Sequence, residues 1–277
     1  LETKTIEQFK EDRYKKYAES VYEGRVFDDV EYLFFEKLIY RYNFELFIDV
    51  GANEGKNIEI FIKNFRKNKA SPKMIVFEPD KRSYKKLKEK DDPLNCRQFE
   101  NIALYKHNFF KKLFYVDDTT QSSLKFKFQN KYKWVRCRTL DSYYNQIKNY
   151  KSVLIKIDAE GCEPEILQGM KKILSKYTGN IALIIEYSHK WLMTDKEKFK
   201  LFFNLMNNEF MIYKLNSFGL ERVASNIVYK LGKVNYACLV AFKRIRFEEY
   251  ELIPDECGFN EFIPIFNSVQ LKMENEK

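Results

Sequence analysis

The strongest constraint on this chain is an alternation: short, nearly continuous apolar runs take turns with segments whose apolar residues recur at helical spacing. LFIDV (46–50) is followed by a segment in which Ile58, Phe61, Ile62 and Phe65 stand at offsets 0, 3, 4 and 7, one face of a helix. MIVFE (74–78) precedes a helical stretch through Tyr84 and Leu87, and RQFENIAL (97–104) reads as a third strand. VLIKID (153–158) precedes a helix with Ile166, Leu167, Met170, Ile173 and Leu174 on one face, and IALIIE (181–186) precedes one carrying Phe199, Phe202, Phe203 and Met206. Continuous apolar strands with intervening helices predict a mostly parallel sheet covered on both faces, the doubly wound α/β architecture. In such a sheet, ligands bind at the carboxyl ends of the strands.

Three stretches depart from the alternation. Residues 5–42 have helical spacing, with Val30, Leu33, Phe34 and Leu38 at offsets 0, 3, 4 and 8, and predict an N-terminal helical extension over 1–44. Residues 111–138 predict extra strands between the third and fourth βα units, with DDTTQSS as a turn. FMIYKL (210–215) and VNYACLVAFK (234–243) have no helix between them and predict an antiparallel pair at the sheet edge. The main domain is thus expected over 45–246, with a C-terminal tail over 247–277 and no internal repeat.

A chain of 277 residues buries roughly three quarters of its unfolded surface. With 45% apolar and 17% aromatic residues, intrinsic disorder is excluded, and 9 Gly and 6 Pro leave no room for low-complexity linkers. No stretch reaches the roughly 18 uncharged apolar residues of a membrane span, and LETKTIEQFKEDRYKK at the start is too charged for a signal peptide. The five cysteines are widely spaced and contain no C-x-x-C pair, which fits reduced thiols rather than a disulfide framework or zinc knuckle. The expectation is a soluble cytoplasmic protein. Its net charge of +9 favours anionic partners: a sugar nucleotide, an anionic glycan, nucleic acid or acidic lipid headgroups.

The sharpest local signal is FIDVGANEGKN (47–57), set between a strand and a helix, where Gly51 and Gly55 let the chain turn and be approached closely. It is not a P-loop, because three residues separate the two glycines where four are required, and Asn57 follows Lys56 in place of Ser or Thr. It is not a dinucleotide fingerprint either, because Asn53 stands where the second glycine belongs. The acidic-x-Gly-x-x-x-Gly pattern does match the loop over which class I methyltransferases lay S-adenosylmethionine.

Carboxylates gather at the other strand ends. Glu78, 23 residues after Gly55, is placed to accept hydrogen bonds from two ribose hydroxyls. In KIDAEGCEPEIL (156–167), Lys156 and Asp158 share a strand face, and a Lys inside a buried strand needs a partner, for which Asp158 and Glu160 are the candidates. IIEYSHKW (184–191) adds Glu186 and His189. His189 has two readings, a solvated loop histidine or a base oriented by Glu186. His107 has no such neighbours.

FIDVGANEG, VFEP, NIAL, the serine pair Ser122–Ser123, RTLD (138–141), LIKIDAEGCEPEILQGM and IIE, in this order and spacing, resemble the FkbM family of S-adenosylmethionine-dependent methyltransferases over residues 45–243. KIDAEG is the most specific element. The resemblance implies a seven-stranded class I fold and methyl transfer to oxygen on a sugar or polyketide hydroxyl. It places Asp49, Gly51, Ala52, Asn53, Gly55, Glu78, Pro79, Asn101, Ala103 and Asp158 around the cofactor, and Ser122, Ser123 and Glu160 towards the substrate. The first functional reading is therefore O-methylation of a carbohydrate or glycan intermediate. Its catalytic candidates are Asp158 or His189 as base, with Glu186 orienting the histidine and Lys156 holding the carboxylates in register. Mg²⁺ held by Asp158, Glu160 and Glu186 is the alternative way to acidify the hydroxyl.

Two other readings compete. KFKFQNKYKWVRCR (125–138) interleaves rings with basic residues, which suits either a stacking surface for RNA, hence ribose 2'-O-methylation, or a strand pair with one wet face. In the RNA reading, Lys156, Asp158, Lys190 and Glu186 would supply a Lys-Asp-Lys-Glu set. A non-catalytic scaffold binding a partner through its N-terminal helices is the third, disfavoured by the intact glycine loop and strand-end acids.

Overall fold

The computed structural model describes residues 35, 38, 39, 42, 44–68, 73–90, 97–117, 122–127, 130–188, 196–216, 219–222 and 236–245. In chain order the elements are β1 (Leu46–Val50), α1 (Lys56–Asn68), β2 (Lys73–Phe77), α2 (Lys81–Glu89), β3 (Arg97–Glu100), β4 (Ala103–Leu104), β5 (Phe109–Tyr115), β6 (Ser122–Ser123) and β7 (Tyr132–Arg138). A 3₁₀ turn (Leu140–Tyr143) leads into α3 (Tyr144–Ile147), β8 (Ser152–Ile157), α4 (Glu163–Gln168), α5 (Lys171–Lys176), β9 (Asn180–Ser188), α6 (Lys196–Glu209), β10 (Met211–Asn216), β11 (Gly219–Arg222) and β12 (Tyr236–Lys243).

The large sheet runs β3-β2-β1-β8-β9-β12-β10-β11. Strands β3, β2, β1, β8 and β9 are parallel, and β12 enters antiparallel between β9 and β10. The expected seven strands are present, and the short β11 adds an eighth at the free edge of β10. β10 and β12 pair as expected, but β12 lies inside the sheet rather than at its edge. Its Leu239, Val240 and Ala241 are fully buried, which suits a strand with neighbours on both sides.

Strand parity divides the core in two. Leu46, Ile48, Val50, Ile155, Ile157, Leu183 and Ile185 face one apolar cluster, which includes Ile166 and Leu167 of α4, Ile173 and Leu174 of α5, and Phe202, Phe203 and Met206 of α6. Phe47, Leu154, Ala182, Ile184 and Val240 face the other, with Ile58 and Phe61 of α1 and Leu87 of α2. Phe47 stacks on Phe61 at 4.4 Å between ring centres. The helical Phe35, Leu38 and Ile39 join this second cluster, so the end of the N-terminal extension packs on the main sheet. Val30, Leu33 and Phe34, the tail over 247–277, and the side chains of Phe65 and Phe199 lie outside the described residues.

Two expected elements are each divided. The single helix after β8 is two short helices broken at Gly169. A Cβ there would meet the carbonyl oxygen of Tyr105 at 2.2 Å, and Asp141 restarts the helix by accepting from the N–H groups of Lys172 and Ile173, both at 2.9 Å. RQFENIAL splits at Asn101: β3 ends the large sheet, and β4 joins a small sheet ordered β4-β7-β5-β6. That small sheet supplies the extra strands expected over 111–138. Ser122 and Ser123 form its strand β6 rather than a turn, and residues 118–121 lie outside the described residues.

Candidate active site

The carboxyl ends of β1, β2, β8 and β9 converge. Gly51 has φ +79° and Gly55 φ +85°, and Asn53 between them also has a positive φ of 49°, so the Gly51–Gly55 turn is built from left-handed residues. The amides of Gly51 and Ala52 both donate to the Phe77 carbonyl, at 3.0 and 3.2 Å. A Cβ on Gly51 would lie 1.8 Å from the Asp158 carbonyl oxygen. That glycine is therefore required first by the joint between the β1 and β8 loops.

Glu78, at the end of β2, is buried and reaches both neighbouring loops. Its Oε2 accepts from Asn53 N–H at 2.8 Å and its Oε1 from Asp80 N–H at 2.6 Å. Burial, only partly offset by these two bonds, raises its carboxyl to about 7. Asn101 donates to the carbonyls of Glu78 and Pro79, at 2.9 and 3.2 Å, and so holds the β3–β4 joint against this strand end.

Parity places Asp49, Lys156 and Glu186 on the same sheet face as Phe47, Leu154 and Ile184, and Asp49 is the register partner of Lys156. Asp49 is fully buried, and neither of its carboxylate oxygens has a hydrogen-bond partner among the described residues. Burial raises it to about 7, with the Lys156 charge pulling down and the Asp158 charge pushing up. Lys156 Nζ donates to Asp158 Oδ2 at 3.0 Å, the pairing expected for a buried strand lysine. Partial loss of water would raise Asp158, but the Lys156 charge and hydrogen bonds from Glu186 and Lys156 outweigh it and hold the carboxyl low. Glu186 moves the opposite way, raised well above its ordinary value by desolvation, by the Asp158 charge and by its bond to Asp158. The two carboxyls thus titrate as a pair, Asp158 pulled down and Glu186 pushed up.

The loop after β8 is tied down by a residue that sequence reasoning missed. Glu163 is buried and accepts from Ala159 N–H at 3.0 Å and Gly161 N–H at 3.2 Å. The orphan amides that precede a helix were the available signal. Glu160 sits in this loop at φ 49°, raised to about 7 by burial and by the charges of Asp158 and Glu163. Ser123 donates its hydroxyl to the Glu160 carbonyl at 2.8 Å and accepts from Lys125 N–H, so that hydroxyl serves backbone groups. Asp80 was missed too. It caps α2 through Arg82 N–H at 2.9 Å and binds Lys133 of β7 at 2.5 Å, anchoring the small sheet. Burial would raise it, but its bonds to Arg82 and Lys133 hold it at about 2. An Asp directly before KRSYKKL was a legible cap.

A pocket opens between these loops, lined by Gly51, Pro79, Ala103, Ser122, Ser123 and Ala159 among others. His189 and Lys190 lie outside the described residues. The cation set is not assembled: among the described residues no group of three or more His, Cys, Asp or Glu is arranged to hold a metal. Asp158 is engaged by Lys156 and Glu186, so an ammonium supplies the positive charge that a divalent ion would bring. The residues do fit S-adenosylmethionine. Glu78 keeps lone pairs for two ribose hydroxyls after holding one amide on each oxygen, and the partnerless oxygens of Asp49 suit an ammonium group.

The strand order and the loops at its carboxyl end are those of the class I methyltransferase fold. Residues 49–219 match the methyltransferase FkbM domain, and the chain belongs to that family. Solved structures similar to it include a methyltransferase FkbM from Methylobacillus flagellatus KT, 15% identical over 75% of this chain and 47% of that one, with a TM-score of 0.45. This chain thus spans about half the length of the Methylobacillus protein. An O-methyltransferase from Bacillus cereus in complex with SAH is 10% identical over 84% and 89% of the two chains, with a TM-score of 0.44. A precorrin-6y C5,15-methyltransferase from Geobacter metallireducens GS-15 is 8% identical over 76% and 87%, with a TM-score of 0.41. No curated protein matches the chain. Among the described residues no helix is long and apolar enough to cross a membrane.

Proposed function

We propose that this chain transfers a methyl group from S-adenosylmethionine to a hydroxyl of a carbohydrate or glycan intermediate. The observation that carries the reading is the Asp158 carboxylate, held ionised by Lys156 at 3.0 Å beside the Gly51 turn. When bound, S-adenosylmethionine supplies a methyl group already activated on a positively charged sulfur, so the protein has chiefly to align an acceptor oxygen and take its proton. Asp158 would take the proton that the acceptor hydroxyl loses. Lys156 would keep Asp158 charged until then, and Glu186, hydrogen-bonded to Asp158, would fix its orientation. Asp49 and Glu78 would hold the cofactor from the β1 and β2 ends, and Glu160 in the β8 loop would take a hydrogen bond from the acceptor. Buried thiols at Cys137 and Cys162, outside any disulfide, support a cytoplasmic setting.

A second reading, methylation of RNA ribose, draws on the exposed rings of the small sheet. It is weakened by the fate of the basic run: Lys131 pairs with Asp117 at 2.8 Å and Lys133 with Asp80 at 2.5 Å, which leaves fewer cations for a phosphate track. Labelled methyl from S-adenosylmethionine, offered to sugar nucleotides, glycans and RNA, tests the choice. Transfer to a carbohydrate hydroxyl is expected. Transfer to RNA alone, with tight binding that collapses with salt, reverses the ranking.

A further inference from the structure

The small sheet has a face that the methyl-transfer site does not use. Phe110, Lys112 and Phe114 alternate along β5 and stand opposite Arg136, Trp134 and Tyr132 of β7, and residues opposed across an antiparallel pair share a face. The reverse face carries Leu113, Val135 and Cys137 into the core. Phe110 is 64% exposed, Trp134 62% and Tyr132 46%. An exposed set of large rings on one rigid sheet marks an interaction surface. The set is laced with cations: Lys112 Nζ lies 4.0 Å from the Tyr132 ring centre and 5.7 Å from that of Trp134.

This face is continuous with the active-site loops. Phe114 is also the register partner of Ser123 in β6, so Tyr132, Phe114 and Ser123 form one row across three strands. The Ser123 hydroxyl ends that row on the carbonyl of Glu160, two residues beyond Asp158. A chain laid along the face from Phe110 towards Phe114 therefore leads to the loop that carries the proposed base.

We propose that this face docks an acidic glycan, a chain of uronic-acid-type sugars, and delivers its hydroxyl to Asp158; the inference rests on the carbohydrate reading and names its substrate class. Across the sheet each cation opposes a ring, Lys112 with Trp134 and Arg136 with Phe110. That alternation matches a repeating unit with one apolar C–H face and one carboxylate. Single-stranded RNA is the rival, since bases stack on exposed rings. Here, however, Lys112 already sits over Tyr132 and Lys127 lies 5.8 Å from the Phe114 ring centre, so a flat base must displace an ammonium, whereas a uronate lays its carboxylate on the ammonium where it stands. Two lysines of the basic run, Lys131 and Lys133, pair with Asp117 and Asp80, which leaves fewer cations for a phosphate track.

The test is calorimetric titration of the full chain, as wild type, Trp134→Ala and Lys112→Gln, with a decamer of galacturonic acid, a neutral glucan decamer and single-stranded poly(U) of matched length. The decamer of galacturonic acid should bind the wild type and weaken about tenfold or more in both variants, while melting temperature and S-adenosylmethionine affinity stay at wild-type values. Absence of galacturonate binding, equal binding to the variants, or poly(U) binding that alone depends on Trp134 overturns the proposal. Methyl transfer to a monomeric sugar without decamer binding overturns the docking face alone. Trp134-dependent decamer binding with no transfer to any glycan leaves the docking face standing and overturns the carbohydrate acceptor.

Discussion

The two sheets of this molecule present opposite chemistries. At the carboxyl ends of β1, β8 and β9, Asp49, Asp158, Glu160, Glu163 and Glu186 crowd together with the ammonium of Lys156 among them. On the outer face of β5 and β7, cations alternate with exposed rings. In the first region burial and mutual charge move neighbouring carboxyls apart: Asp158 is held low by Lys156, Asp49, Glu160 and Glu163 are raised to about 7, and Glu186 is raised well above its ordinary value. In the second, charge stays at the surface, where a cation over a ring contributes only about 0.5–1 kcal/mol. Burial thus concentrates charge at the strand ends, whereas exposure leaves the rings and cations of the small sheet open to solvent.

The sharpest way to break the first region is Gly51→Val. With φ +79° and a Cβ placed 1.8 Å from the Asp158 carbonyl, the substitution forces β1 and β8 apart, and denaturant melts should show a loss of about 4 kcal/mol or more. Asp158→Asn comes next. It keeps the shape of the loop, and Asp49 remains beside Lys156 to ionise in its place, so melting should change little. Single-turnover transfer should fall by about 10² or more, the scale of a lost general base. A mutant that unfolds would make Asp158 chiefly the neutraliser of Lys156, and one with unchanged turnover would remove it from the mechanism. Glu78→Gln is milder. It preserves one acceptor for the loop amides but weakens those offered to ribose, and S-adenosylmethionine affinity should drop about tenfold.

The smallest effect sharpens the contrast between buried and exposed charge. Burial raises Asp49, Glu78, Glu160 and Glu163 to about 7, and a carboxyl whose folded-state pKa is raised stabilises the fold fully below the ordinary carboxylate range and loses that contribution as pH rises through about 7. Asp80 and Asp158, which are lowered, contribute in the other direction but have finished titrating well below pH 6. The ligand-free chain should therefore melt lower at pH 8 than at pH 6, by about 2 to 4 °C for each kcal/mol lost. Scanning calorimetry at the two pH values checks it, and an equal or higher melting temperature at pH 8 would contradict the assigned protonation states.

What the sequence made legible follows from the strength of each local signal. The apolar runs fixed strand positions because a buried parallel strand must be apolar on both faces, and the period-2 rule correctly joined Lys156 to Asp158. The glycine turn was legible as well, although not its reason, since the atom that excludes a Cβ at Gly51 belongs to Asp158, more than a hundred positions away. Non-local contacts explain the other differences. Gly169 breaks a helix against the Tyr105 carbonyl, and Asp80 reaches Lys133 through a sheet pairing that no periodicity announces. The interleaving of rings and basic residues along 125–138 was legible as a strand pair, but the parity swap beyond Trp134 hinted at a bulge where the pairing is regular. Only the register put Val135 and Cys137 on the core face, Trp134 and Arg136 on the outer one, and Ser123 in the outer row.

Titration calorimetry of S-adenosylmethionine into the folded chain, repeated in buffers of different ionisation enthalpy near pH 7, tests the central claim most directly. Ribose donors on Glu78 and a positive charge beside Asp49 favour the ionised carboxyls, so binding should be saturable, should release protons at pH 7, and should tighten as pH rises from 6 to 8. No binding by the folded wild type, or binding that takes up protons, would contradict the account.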